Sequence, residues 1–148
     1  MTYQFILSAL LVAGMLACGT DKTAVDKAEK EVFALHDEVM PLTMGTFPKL
    51  QKQLETRLTA LDSLKTAGVL SQVQLDEERE QVSRVRRNLS LADSAMNAWM
   101  DGYNSDTLTK LSTADALNYL AGEKQKMTAV KQRTNTALTD AKAYLKND

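Results

Sequence analysis

Apolar residues that recur at alternating spacings of three and four constrain this chain more than any other feature. In one segment the pattern is unbroken: Val82, Val85, Leu89, Ala92, Met96, Trp99 and Tyr103. Such spacing places an apolar stripe along one side of an α-helix, and other helices must cover that stripe. Gly and Pro together supply only 8 of the 148 residues. We therefore predict an all-α chain.

The same pattern, with its start and stop signals, predicts three long helices. The first begins near Thr23 and ends at Gly68, the second begins at a Ser71 capping box, and the third begins at Ser112. Short connections between long helices favour an antiparallel up-down-up bundle. The third helix has a weaker apolar stripe, which is interrupted by Lys124 and Lys131: Leu117, Leu120, Met127, Thr134, Leu138, Ala141 and Leu145.

The first helix contains a break between Pro41 and Pro48. Pro41 has no N–H to donate and its ring crowds the preceding turn, which costs about 3 kcal/mol inside a helix. Either the helix kinks and continues, or it ends and the chain reverses to form a fourth helix. The apolar pattern shifts by one residue between Leu42 and Phe47. This shift favours a kink near Pro41 to Pro48.

Soft metal ligands fall near this break and near the end of the second helix. If the first two helices are antiparallel and turn at Gly68, four of these ligands share one layer. Thioethers and imidazole suit Cu(I), so one hypothesis is a copper site. Its ligands would be His36, Met40, Met96 and Met100, with Met44 and Trp99 as accessory residues.

Two other interpretations of this layer remain open. Methionine commonly fills gaps in helical cores, and Met96 and Trp99 already belong to the apolar stripe, so plain packing is one of them. The other is that this Met-rich face meets a partner protein or a lipid-derived ligand. The ligand set resembles that of periplasmic copper-tolerance metallochaperones, but those proteins are small β-barrels.

No residue pattern indicates catalysis or nucleic-acid binding. His36 is the sole histidine, and Asp37 and Glu38 follow it directly. Because adjacent residues diverge by about 100° around a helix, they do not form a ready acid/base pair with it. The net charge is -1. The basic run Arg84, Arg86 and Arg87 follows Glu77, Glu78 and Glu80, which predicts a solvated, ion-paired helix face. We expect neither an enzyme nor a nucleic-acid site.

The N-terminus carries a different kind of signal. Residues 5–17 are almost entirely apolar, too short a run for a stable membrane span, and Leu16-Ala17-Cys18-Gly19 follows. This junction resembles the lipobox of bacterial lipoproteins. The resemblance implies that residues 1–17 are a signal peptide, that Cys18 carries palmitate-type lipid, and that residues 18–22 tether a helical domain spanning 23–148. The expected location is the cell membrane or outer membrane, with a periplasmic domain.

Two internal segments carry a second resemblance. Residues 36–41, HDEVMP, and residues 92–100, ADSAMNAWM, look like paired signatures of small helical lipoproteins of Bacteroidota, some labelled as viral A-type inclusion proteins. This resemblance implies that the two segments belong together, and it implies no activity. We expect a non-catalytic structural or interaction role in the envelope, with soft-metal binding as the alternative. The expected partners are the membrane, through Cys18, and an envelope protein.

Overall fold

The computed structural model describes residues 18–146, with side chains from Lys22 onward. The predicted signal peptide, residues 1–17, lies outside the described residues. Within residues 18–146 the chain is helical and contains no strand, which confirms the predicted all-α fold. None of the helices in this part of the chain is long and apolar enough to cross a membrane.

Three helical rods make up the bundle, and the first of them is bent. The bent rod consists of α1 (Cys18–Pro41), a π-helical segment (Leu42–Thr46) and α2 (Phe47–Thr66). The second rod is α3 (Gln72–Gly102). A 3-10 turn (Ser105–Lys110) connects it to the third rod, α4 (Thr113–Lys146).

The break at Pro41 is a kink, as the phase shift predicted. The chain continues through Leu42–Thr46 as a wider π-helical turn, in which the Phe47 N–H bonds to the Leu42 carbonyl, five residues earlier. A π-helical turn takes up one extra residue. The buried side of the rod therefore continues from Val39 through Thr43 to Phe47. The Thr43 hydroxyl donates to the Met40 carbonyl at 3.2 Å.

The start of α1 differs from the prediction. The helix begins at Cys18, and Thr23, the predicted first residue, lies inside it. The residues between them include no proline, so no missing N–H stops the helix from extending toward the N-terminus.

The turn between α2 and α3 follows its sequence signals. Gly68 has a positive φ of 68°. Its N–H bonds to the Lys65 carbonyl, and the Val69 N–H bonds to the Leu64 carbonyl, both at 3.0 Å. These two bonds form a Schellman motif, which satisfies carbonyls at the end of α2. The predicted capping box at Ser71 is present and starts α3.

Ion pairs and ring contacts define the direction of each rod. Contacts of α3 with the first rod pair Phe33 with Tyr103 and Asp62 with Arg79, so these rods are antiparallel. Contacts of α1 with α4 pair Glu31 with Lys124 and Glu38 with Lys131, so these two helices run in the same direction. The topology is up-down-up, as predicted.

The core consists of two clusters, one on each side of the bend. The Trp99 cluster lies between α1, α3 and α4, and its buried members are Val32, Val39, Met96, Trp99, Leu120, Met127 and Val130. The Leu54 cluster lies between α2, α3 and α4, and its buried members include Phe47, Leu50, Leu54, Leu61, Leu75, Val82, Val85, Leu89, Ala92, Ala137 and Ala141.

The predicted apolar stripe of α4 was partly wrong. Leu120, Met127, Thr134 and Ala141 are buried as expected, but the stripe also passes through Glu123, Val130 and Ala137. Lys124 and Lys131 do not interrupt it. They lie beside the stripe and pair with carboxylates of α1. The prediction was partly wrong because a charged residue, Glu123, and a small residue, Ala137, occupy core positions.

We predict that Gly68→Ala destabilises the bundle by about 1 kcal/mol, because a Cβ is strained at positive φ. Gly122→Ala is the matched control. Gly122 lies inside α4 and a Cβ there meets no atom within 4 Å. That change should stabilise the protein by about 0.5–1 kcal/mol. Urea denaturation followed by circular dichroism measures both. Equal effects at the two positions would contradict the assigned turn.

Candidate functional site

Aromatic side chains meet at the end of the bundle where α1 lies beside the end of α3. The Tyr103 ring is in the middle, with its centroid 5.3 Å from that of Phe33, 5.2 Å from that of Trp99 and 6.2 Å from that of Tyr119. The His36 ring extends the group, at 5.6 Å from Trp99. We call these five residues the aromatic layer.

Two of the four proposed copper ligands are half-buried members of the Trp99 cluster, and a third is fully enclosed. Met40 and Met100 pack at the edge of the cluster, whereas Met96 is 1% exposed inside it. The fourth, His36, lies nearby against Trp99. The antiparallel alignment that the sequence predicted therefore brings all four to one region. Met44 lies outside the cluster and is 68% exposed.

The His36 ring bonds to its sequence neighbour. His36 Nδ1 lies 2.9 Å from Asp37 Oδ1. This corrects the expectation that adjacent helical residues would diverge too far to pair. The short Asp37 side chain bends back to the ring and reaches it. The imidazole therefore already has a polar partner on one of its two nitrogens.

A buried carboxylate on α4 holds the indole of α3. Trp99 Nε1–H donates to Glu123 Oε2 at 2.9 Å, and both side chains are buried. The other carboxylate oxygen accepts from Lys126 Nζ at 2.7 Å. A buried charge is tolerated in a protein only when it is paired and hydrogen-bonded, and Glu123 meets both conditions. The same bond raises the pKa of Lys126.

A second carboxylate ties α1 to α3. The Tyr103 hydroxyl donates to Glu29 Oε1 at 2.9 Å. Burial of the ring, followed by this bond to Glu29, raises the pKa of Tyr103. Tyr119 completes the connection, because its hydroxyl accepts from the backbone N–H of Asn104 at 3.1 Å. The aromatic layer therefore fixes the α3–α4 connection to both neighbouring helices.

Sequence reasoning missed these polar partners, Glu29, Glu123 and Tyr119. One signal for Glu123 was available. It lies three residues after Leu120 and four before Met127, which is a core position of the apolar pattern. A carboxylate at such a position needs a buried donor, and the indole of Trp99 is the residue type that supplies a single N–H. Nothing in the spacing of Glu29 or Tyr119 indicates their partners.

The geometry of the layer favours rigidity over binding. Both oxygens of Glu123 and one oxygen of Glu29 are already engaged. In the described part of the chain, His, Cys, Asp and Glu side chains form no group of three or more that could hold a metal ion. A methionine-based site is a different chemistry and stays a hypothesis.

Comparison of this chain with protein-family models, with curated proteins and with solved structures finds no match.

We predict that Glu123→Ala destabilises the bundle by about 2–4 kcal/mol, because it leaves the Trp99 N–H buried without an acceptor. Glu123→Gln keeps an acceptor and should cost less than half as much. Urea denaturation followed by Trp99 fluorescence measures both. The control is Glu55→Ala on the exposed surface of α2, for which we expect a change within about 0.5 kcal/mol. Equal losses for the Ala and Gln variants of Glu123 would show that the hydrogen bond contributes nothing.

Proposed function

We propose that this protein is a bacterial lipoprotein, anchored to an envelope membrane through lipid on Cys18, whose helical bundle has a non-catalytic structural or protein-interaction role. The observation that carries the proposal is the junction Leu16-Ala17-Cys18-Gly19 after an apolar run. The sole cysteine of the sequence is also the first residue of α1.

The position of the anchor determines which end of the bundle works near the membrane. His36 is 18 residues after Cys18, which corresponds to about 27 Å along a helix. In this proposal the aromatic layer is on the half of the bundle nearest the membrane, and the α2–α3 turn is at the far end. The hydrogen bonds of the aromatic layer would stiffen this half of the bundle, next to the anchor.

The non-catalytic part of the proposal is supported by how the polar groups are used. Glu123 bonds to Trp99 and Lys126, Tyr103 bonds to Glu29, and His36 bonds to Asp37. A nucleophile needs an adjacent base that is free to accept its proton. The bonds of Trp99 and Tyr103 instead hold neighbouring helices in fixed positions, which suits a spacer or a docking scaffold.

Labelling the full chain in a bacterial host with an alkyne fatty acid tests the anchor. We expect the wild type to take up label and to fractionate with membranes. Cys18→Ser should lose the label and keep the uncleaved N-terminal segment. The matched control adds Ser90→Cys, an exposed position in α3, to the Cys18→Ser chain, and it should stay unlabelled. Label that persists in Cys18→Ser would contradict the proposal.

The second candidate function is binding of a soft metal such as Cu(I). It is favoured by one observation, the placement of Met40, Met96 and Met100 in the same cluster as Trp99. Titration of the purified chain with Cu(I) tests it, with Trp99 fluorescence as the signal. If the site exists, Met100→Leu should raise the Cu(I) concentration that quenches half of the Trp99 fluorescence by about tenfold or more. Met44→Leu should leave that concentration unchanged. A wild type that gives no response excludes the site.

A further inference from the structure

The outward face of α3 carries a second row of residues with the same spacing as the core. Steps of four, three, four, three and four join Val73, Glu77, Glu80, Arg84, Arg87 and Leu91. These steps keep all six on one side of the helix. We call them the outer stripe. All six are exposed, on a different side of α3 from Val82, Val85 and Leu89, which enter the core.

The two ends of the outer stripe are apolar. Val73 is 66% exposed and Leu91 is 52% exposed, which places them among the few large apolar side chains that the described chain leaves in water. Exposed apolar residues rimmed by charges are typical of protein interfaces. Here the charges lie between the two apolar ends.

The charges of the outer stripe form no ion pair with another described residue. Sequence reasoning predicted an ion-paired face here, and Glu78 does pair with Arg57 of α2, at 3.7 Å. Within residues 22–146, however, no ion pair involves Glu77, Glu80, Arg84 or Arg87. By contrast, Lys124, Lys126 and Lys131 of α4 all have carboxylate partners.

The outer stripe is symmetric about the position of Val82. Val73 and Leu91 are equally far from that position, and so are Glu77 and Arg87, and Glu80 and Arg84. If two copies of α3 pack antiparallel and cross at the level of Val82, each Glu of the stripe faces an Arg of the other copy, and each Val73 faces a Leu91. A face that is complementary to itself in this way is the requirement for a closed twofold dimer.

Other arrangements of two copies leave charges mismatched. A parallel pair in register would place Glu opposite Glu and Arg opposite Arg, which is repulsive. A parallel pair shifted by one heptad would satisfy only half of the charges and would not close. Two shallow surface grooves between α3 and α4 border part of the stripe. Arg84 lines one groove, Leu91 lines the other, and Asn88 lines both.

We infer that the outer stripe of α3 is a homodimer surface, which binds the same stripe of a second copy in antiparallel orientation. The contact from Val73 to Leu91 is about 27 Å long. One helix pair of this length makes a small interface, so the dimer is of the weak, reversible class. The inference does not depend on the lipid anchor. If Cys18 carries the proposed lipid, the two anchors would lie at opposite ends of the dimer, because α1 begins at the Gly102 end of α3.

Charge reversal on full-length chains tests this inference. One variant, E77R/E80R, has only positive charges in the stripe, and the other, R84E/R87E, has only negative charges. Each is made with two different C-terminal tags, extracted separately in mild detergent and mixed, and co-purification is measured. We expect wild type to pair with wild type, and each variant to pair with itself about tenfold less well.

Mixing the two variants is the decisive measurement, since every opposing pair is then complementary again. We expect co-purification to return to the wild-type level. The same recovery should occur in the fourfold variant E77R/E80R/R84E/R87E, which has the wild-type composition. Far-ultraviolet circular dichroism confirms that each variant is folded. If the like-charged variants pair as well as wild type, or the mixture does not recover, the inference is overturned.

Cysteine pairs test the antiparallel orientation. In the V73C/L91C chain, each new thiol faces its counterpart on the second copy, so oxidation should give a covalent dimer. In V73C alone the two thiols are about 27 Å apart in the dimer and should not join. Cys18 is present in both chains and gives the same background. Equal crosslinking of V73C and V73C/L91C would indicate a parallel pair and contradict the inference.

Discussion

Continuity of the buried side of the first rod is the constraint on which the rest of the fold depends. The rod must cover α3 along its whole length, yet its apolar pattern contains one residue too many and a proline. An α-helix of this length would rotate the apolar side of α2 away from the core. The π-helical turn from Leu42 to Thr46 absorbs the extra residue, and Phe47 and Leu50 return to the buried side. Up-down-up packing of three rods follows from that correction.

The bend also divides the core. Thr43 on the first rod separates Val39, of the Trp99 cluster, from Phe47, of the Leu54 cluster, and Thr134 does the same on α4. The Thr134 hydroxyl is fully buried and has no hydrogen-bond partner among the described residues. A buried hydroxyl without a partner costs about 1–3 kcal/mol. Two threonines, Thr43 and Thr134, therefore occupy buried positions at the boundary between the two apolar clusters.

Charges are sorted by position around the bundle. Glu123 is buried and holds Trp99, while Glu31 and Glu38 pair with lysines of α4 across the α1–α4 boundary. The bond from Lys124 lowers the pKa of Glu31. Surface pairs of this kind contribute about 0–1 kcal/mol each, so they align the helices more than they stabilise them. Among residues 22–146, Glu77, Glu80, Arg84 and Arg87 on the outer side of α3 have no such partners, and this is the observation from which the inferred homodimer surface starts.

The sequence by itself determined the helical class, the number of rods, the kink, the capping box at Ser71 and the Gly68 turn. Each of these depends on residues close together in the chain, through apolar spacing, a missing N–H or a local hydrogen bond. It also determined the alignment of His36 and Met40 with Met96 and Met100, because a short turn fixes the antiparallel offset. Only the tertiary structure decided that Glu123 enters the core, that Tyr103 bonds to Glu29, and that Lys124 and Lys131 pair with α1. Glu29 and Tyr103 are 74 residues apart, and Glu31 and Lys124 are 93 apart. The bond between Glu123 and Trp99, 24 residues apart, depends on how α3 and α4 rotate against each other, and local spacing does not identify such partners.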